Sequence, residues 1–206
     1  MTGSEPDAPW PPEVELRGRH ACLVPLRAKH APALAEAVED GELWKLWYTS
    51  VASPDDMAED VAARIARRDA GQCLPFTVLD AKSGTPIGMT SYWNLDPVNR
   101  RVEIGATWYR RLAQRSAVNT ECKRMLLAHA FETLDCIAVE FRTHFFNNRS
   151  RRAIERLGAK LDGTLRNHSL SRDGLLRDTC VYSIIQSEWP TVRRHLDMRL
   201  EAGERA

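Results

Sequence analysis

Apolar and polar positions alternate along "RHACLVPL" (Arg19 to Leu26), and the next stretch, Lys29 to Asp40, carries its apolar residues at helical spacing. The chain therefore opens strand, then helix. After the aromatic-rich "ELWKLWYTSVAS", Ser53 reads as the cap of a second helix, with Pro54 at its first position, Asp55 and Asp56 near the positive end of its dipole, and an end near Gly71. "LPFTVLD" and "PIGMTSYW" flank the turn-rich "AKSGT" and form an antiparallel hairpin, and "RRVEIGATWY" (Arg100 to Tyr109) alternates again as a third neighbouring strand. A long amphipathic helix follows "QRSAVN". Then come a short apolar strand in "CIAVEFRTH" and a helix in "NRSRRAIERLG" closed by Gly158. "AKLDGTLRNHSL" and "LLRDTCVYSII" are two strands joined around "SRDG", and "SEWPTVRRHLDMRL" is a last helix with Ser187 as its cap. Strand, helix, strand in the middle of the chain implies a parallel pairing. The pattern predicts one α/β (α+β) domain: a mixed, mostly antiparallel sheet of about seven strands with helices on both faces.

Composition narrows this without changing it. A chain of 206 residues suits one well-buried domain, assigned to residues 13–200, preceded by a loose arm, "MTGSEPDAPWPP", over residues 1–12. A net charge of +1 gives no general field for nucleic acid or an acidic membrane, so neither is expected as a partner and any anion site must be local. The chain has no apolar run of spanning length and no leader-like start. Cys22, Cys73, Cys122, Cys136 and Cys180 are odd in number, widely spaced and without a CxxC pair, which argues against a zinc cluster or a disulfide framework and for a reducing, cytoplasmic setting.

Two segments could carry chemistry. "VEIGATWY" runs through "RRLAQRSAVNTECK" into a helix start, where free backbone N–H groups and the helix dipole favour a phosphate. Glycine usually allows such close approach, yet Ser116, Ala117 and Asn119 hold the small positions here, with Arg115 and Lys123 adding local positive charge. An ordinary strand-to-helix connection is the plain alternative. In "FFNNRSRRAIERLGAKLDGTLR", Asn147 and Ser150 stand three apart at a helix start and could cap it or reach a ligand at the sheet edge. Arg149, Arg151 and Arg152 could hold a terminal phosphate or form a solvated basic face.

Taken together, these stretches resemble the GCN5-related N-acetyltransferase superfamily, and within it the Rim-type branch of ribosomal-protein N-terminal acetyltransferases. The likeness rests on "VEIGATWY", on "QRSAVNTE" in place of the Q/R-x-x-G-x-G/A phosphate turn, on "NNRSRRAIERLGAKLDGTLR" against N-x-x-S…A-x-x-x-x-G-A/F…G-x-x-R, and on the terminal "DTCVYSIIQSEWP". The resemblance implies acetyl-CoA as donor, bound where two parallel strands splay apart, and no metal. Its pantetheine amides would pair with the strand through Ile104, Ala106 and Trp108. Its phosphates would meet Gln114, Arg115, Ser116, Ala117, Val118, Asn119 and Thr120, with Asn147, Arg149 and Arg152 nearby. Glu103 matches the acidic residue that serves as a base acting through water, the alternative being a salt bridge to a neighbouring arginine. Backbone N–H groups around Ala106 or Thr107 would hold the oxyanion. The superfamily's usual tyrosine acid is absent from Asn148 to Leu157, which leaves Ser150 or a water.

The acceptor is expected across the splay, under Trp44, Trp47 and Tyr48 and the strand residues Tyr92, Trp93 and Trp108, although core packing would also explain such aromatics. His144 is either a polar contact to substrate or solvent-facing. A weak base favours low-pKa amines: at a reference pKa of about 7.7–8.0, roughly a third of an α-amino group is neutral near pH 7.5, against about one part in a thousand for lysine. The expected activity is acetylation of a primary amine, with a peptide or protein N-terminus favoured. A small-molecule amine (antibiotic, polyamine or amino-acid conjugate) and a non-catalytic CoA-binding module are the alternatives. The identity of the acceptor and the oligomeric state, a homodimer included, are not written in the sequence.

Overall fold

The computed structural model describes residues 9–171 and 173–203. One sheet is built from β1 (Leu16–Arg17), β2 (Ala21–Pro25), β3 (Cys73–Asp80), β4 (Pro86–Asp96), β5 (Arg101–Tyr109), β6 (Ala138–His144), β7 (Lys160–Leu170) and β8 (Leu176–Ile185), in the spatial order β1-β2-β3-β4-β5-β6-β8-β7. The helices are α1 (Ala31–Glu39), α2 (Met57–Asp69), α3 (Ala117–Ala128), α4 (Asn148–Glu155) and α5 (Trp189–Gly203). The strand beyond the expected seven is β1, whose two residues are too few to show a period. All neighbours are antiparallel except β5 and β6, joined in parallel through α3 as the strand–helix–strand order requires. No helix among the described residues is long and apolar enough to cross a membrane.

Alternation along the strands sorts side chains into two cores. Phe76, Tyr92, Val102, Ile104, Val139, Phe141, Cys180 and Tyr182 pack with Val118, Leu126 and Leu196 of α3 and α5 on one face. Met89 and Trp108 join Leu34, Val38, Met57 and Val61 of α1 and α2 on the other. Residues 1–8 of the expected arm lie outside the described residues, and Trp10 packs against the first core.

Two helix starts differ from expectation. Asp56 N donates to Ser53 Oγ at 3.2 Å, so Ser53 closes a turn ahead of α2, which begins at Met57. The last helix begins at Trp189, because Gln186–Glu188 forms a separate 3-10 turn held by Ile185 N donating to Glu188 Oε2 at 3.3 Å, and Ser187 lies inside it. Gly71 does end α2, at φ +70°, with Gln72 N donating back to Arg67 O at 2.9 Å.

Glu121, from the "VNTE" stretch, is structural. Its carboxylate accepts N–H bonds from Arg19 and His20 at 2.8 Å and from Ala21 at 2.9 Å, tying the β1–β2 turn to α3. Gly18 leaves room for it, since a Cβ there would come within 2.4 Å of the carboxylate.

Candidate active site

β5 and β6 pair at three positions only, Arg101 with Ala138, Val102 with Val139 and Glu103 with Glu140. Beyond them β5 stays with β4 as far as Tyr109, while β6 stays with β8 as far as His144, so the two strands diverge. At the point of divergence β5 bulges: Ala106 and Thr107 together face Thr90, because Ser91 pairs with Gly105 and Met89 with Trp108. Ala106 is exposed and takes φ +49°, a left-handed conformation uncommon for a residue with a Cβ. The splay thus leaves a strand edge with no neighbour among the described residues, beside an exposed bulge. Ile104 and Trp108 bury their side chains in opposite cores, so only their backbones could meet a ligand in the splay.

Glu103 stands where pairing stops. It alternates with Val102 and Ile104 and so points to the α1/α2 face, 9% exposed. Asn94 Nδ2 donates to its Oε2 at 2.6 Å, and Arg142 Nε lies 3.6 Å from the same oxygen. Burial outweighs the attraction of Arg142 and the Asn94 bond and pushes the carboxyl up to about 7, poised to take a proton at neutral pH. The two readings of Glu103, base and salt bridge, thus meet in one geometry: the ion pair is long, and desolvation dominates.

The turn before α3 explains the missing glycine. Ala117 and Asn119 are already helical, so neither needs glycine's freedom, and the left-handed residue is Arg115 at φ +60°. Ser116 caps the helix by accepting from Val118 N at 3.3 Å, and Val118 and Thr120 turn inward. Gln114 Nε2 donates to Tyr109 O at 2.7 Å, and its Oε1 accepts from Arg149, so one side chain joins the end of β5, the turn and α4. A cavity of about 430 Å³ opens beside Ser116, Ala117 and Val118, bordered by the cations Arg19, Lys82 and Arg110 and by Asp80.

On α4, Asn147 is the helix cap, accepting from Ser150 N at 3.0 Å. Among the described residues no hydrogen bond engages the half-buried Ser150 hydroxyl. Arg149 and Arg152 are exposed. Arg151 is committed elsewhere, donating to Tyr182 Oη at 3.0 Å and lying 5.1 Å over the Phe145 ring, which removes it from the expected phosphate-binding set.

The expected acceptor residues separate. Tyr92 is fully enclosed on the α3 face, its hydroxyl donating to Leu126 O at 2.6 Å, so it cannot line a pocket on the other face. Trp93, its neighbour, points the opposite way, pairs with Glu103 and lies under Arg67 and Arg64 at 5.4 and 6.0 Å. Trp47 and Tyr48 come in from the loop after α1 and pack on His144 at 5.0 and 6.4 Å between ring centroids. His144 is therefore not solvent-facing: it is 4% exposed, accepts from Phe146 N at 3.1 Å, and burial, then Arg177, hold its pKa below the usual histidine range.

Two features beside the splay carry no signal in the sequence. Lys123 is turned from the start of α3 toward the bulge, 5% exposed, donating to Thr107 Oγ1 at 2.6 Å and Thr90 Oγ1 at 3.1 Å. Desolvation brings it down to about 7, so it supplies little of the positive charge expected there, and instead ties α3 to the bulge. Arg142 and Arg177 are the other feature. Both lie on the face of Glu103, and isolated arginines in alternating strands carry no signal of which face they occupy.

The family model of the GNAT acetyltransferase domain matches residues 20–160, a span that runs from β2 through α4 and contains the splay, the turn and Glu103. The chain belongs to the GNAT acetyltransferase family. Among solved structures it is similar to a GCN5-related N-acetyltransferase from Brucella melitensis, with a TM-score of 0.83 and 29% identity over 93% of this chain and 87% of that one. A protein from T. thermophilus, provisionally named an acetyltransferase, gives a TM-score of 0.81 and 32% identity over 93% and 99% of the two chains. YdaF of Bacillus subtilis, whose provisional name is ribosomal N-acetyltransferase, is 35% identical over 106 residues, which are 52% of this chain and 57% of that protein.

Proposed function

We propose that the protein moves an acetyl group from acetyl-CoA to a primary amine, most suitably the α-amino group of a peptide or protein N-terminus. The observation that carries the reading is the parting of β5 and β6 after Glu103, next to the exposed bulge at Ala106. An amide-bearing pantetheine arm satisfies an unpaired strand edge as an added strand would. The start of α3 offers free N–H groups and its dipole to the pyrophosphate, with Arg115 and Arg149 near.

In this reading Glu103 draws a proton from the incoming ammonium, directly or through water, and the neutral amine attacks the thioester carbonyl. The developing oxyanion is held by backbone N–H groups at Ala106 and Thr107, whose direction the bulge sets. The Ser150 hydroxyl or a water returns a proton to the departing thiolate. Trp47, Tyr48 and Trp93 border the acceptor. A base at about 7 suffices for an α-amine and is poorly matched to lysine. The naming of YdaF for a ribosomal activity supports a protein acceptor, and five free cysteines suit a cytoplasmic setting.

Thermal unfolding with and without acetyl-CoA, followed by CoA release on adding N-terminal peptides, polyamines and amino-acid amines, tests the reading. Stabilisation without turnover on any amine would reduce the protein to a CoA-binding module. Turnover confined to small amines would overturn the peptide assignment.

A further inference from the structure

Register places a row of polar side chains on the acceptor face. Glu103 pairs with Glu140; Glu140, Arg142 and His144 share one face of β6; and Ser183, Val181 and Thr179 stand opposite them on β8, with Arg177 next in the same alternation. The buried residues Cys180, Tyr182 and Ile184 take the other face, which fixes the direction of this row.

The charges in this row are paired, with one exception. Glu140 accepts from Arg101 with one oxygen and from Arg142 Nη2 with the other at 2.9 Å. Arg142 Nε also approaches Glu103 Oε2, at 3.6 Å. Asp178, which alternates to the other face of β8, is held by Arg166 Nε at 2.8 Å and by Asn167 N at 2.8 Å. Arg177 has no hydrogen bond or salt bridge among the described residues, and its Nε is shut off from solvent without an acceptor. A guanidinium that gives up water at one donor and finds no acceptor is costly to keep, unless a ligand supplies the anion. Its fork-shaped donor set matches a carboxylate.

We infer that Arg177 binds a carboxylate carried close to the acceptor amine, so that peptides with an acidic side chain in the second position are the preferred acceptors. This rests on the peptide N-acetyltransferase reading above. Glu103 attracts Arg177 without a hydrogen bond or salt bridge to it, so the guanidinium donors stay available for the acceptor's carboxylate. The aromatic rim beside His144 is open, with Trp47 53% and Phe146 60% exposed, which leaves room for a chain continuing past its first residues. A free amino acid carries the same carboxylate chemistry and forms the competing arm of the test.

The experiment compares kcat/KM for peptides beginning Ser-Asp, Ser-Ala and Ser-Lys with a common remainder, and for free aspartate, on the wild type, Arg177→Gln and Arg177→Lys. The expected result is a preference of about tenfold or more for Ser-Asp over Ser-Ala, expressed mainly in KM, as suits a charge-assisted bond. Arg177→Gln should bring Ser-Asp down to the level of Ser-Ala, and Arg177→Lys should restore part of the preference. Equal rates for the three peptides, or a preference that survives Arg177→Gln, would overturn the assignment, as would free aspartate outpacing every peptide. If no amine consumes acetyl-CoA, the acetyltransferase reading has failed separately. Calorimetric titration of the same peptides into CoA-saturated protein then decides the role of Arg177. Tighter Ser-Asp binding that Arg177→Gln removes sustains it, and equal binding of the three refutes it.

Discussion

Gly105 and Glu103 stand two residues apart on one face of β5, and a Cβ on Gly105 would lie 2.7 Å from Oε1 of Glu103 and 3.4 Å from Cδ1 of Trp93. The glycine of "VEIG" is therefore a recess for the carboxylate. Gly105→Ala crowds Oε1, the far end of a flexible side chain, so the Glu103 carboxylate must move to admit the methyl group. It is expected to leave stability within about 1 kcal/mol and to lower kcat/KM by about 10²-fold, the range of a displaced acid–base group. Urea unfolding beside turnover checks both, and full activity would show that Glu103 can work from another position.

Glu103→Gln removes the proton acceptor and keeps the size. In the wild type kcat/KM should rise with pH through about 7, and the variant should lose that inflection, recovering only as the amine deprotonates by itself. Linkage gives a second readout. Because the folded pKa is raised, the native state holds more protons than the unfolded chain between about 4.5 and 7. This contribution to stability is full below about 4.5 and is lost as pH rises through about 7, so Glu103→Gln should flatten the urea midpoint across that window.

Lys123 has the opposite sign. Its folded pKa is lowered from 10.5 to about 7, so the unfolded chain binds the extra proton and stability rises with pH across that interval. Lys123→Met should remove the rise between pH 7 and 9, measured by denaturant titration at fixed ionic strength. A variant with the same slope as the wild type would mean that Lys123 stays charged in the fold.

The turn before α3 can be tested by charge. Ala117→Glu places a carboxylate at the first helical position, where a pyrophosphate would sit, and the thermal shift given by acetyl-CoA should vanish while the apo protein keeps its melting temperature within a few degrees. An undiminished shift would move the phosphate site elsewhere.

Asn147 and Ser150 divide the roles that spacing left open. Since Asn147 supplies the capping oxygen and Ser150 only its backbone N–H, Asn147→Ala should cost about 1 kcal/mol. Ser150→Ala should leave the unfolding midpoint in place. If its hydroxyl returns the proton to the thiolate, turnover falls about 10²-fold; a fully active Ser150→Ala leaves that step to water.

Much of the fold was legible because it rests on local signals. Period-two alternation marked the strand in "RVEIGATWY" and a short apolar run the one in "CIAVEFRTH", Gly71 and Gly158 ended their helices, and a strand–helix–strand order fixed one parallel pair. The turn before α3 and the "NNRS" helix start were readable for the same reason: each is built by residues a few positions apart. Alternation also says that Tyr92 and Trp93 face opposite ways. With helices on both sides of the sheet, however, it cannot say which side is closed core and which borders the splay, and so both were assigned to one pocket. The length of the β5–β6 pairing, the burial of His144 under Trp47, the descent of Lys123 into the Thr90–Thr107 pair and the unpaired Arg177 all depend on contacts between distant segments. These are set by cross-strand register and by desolvation, and neither is encoded within a short window of the chain.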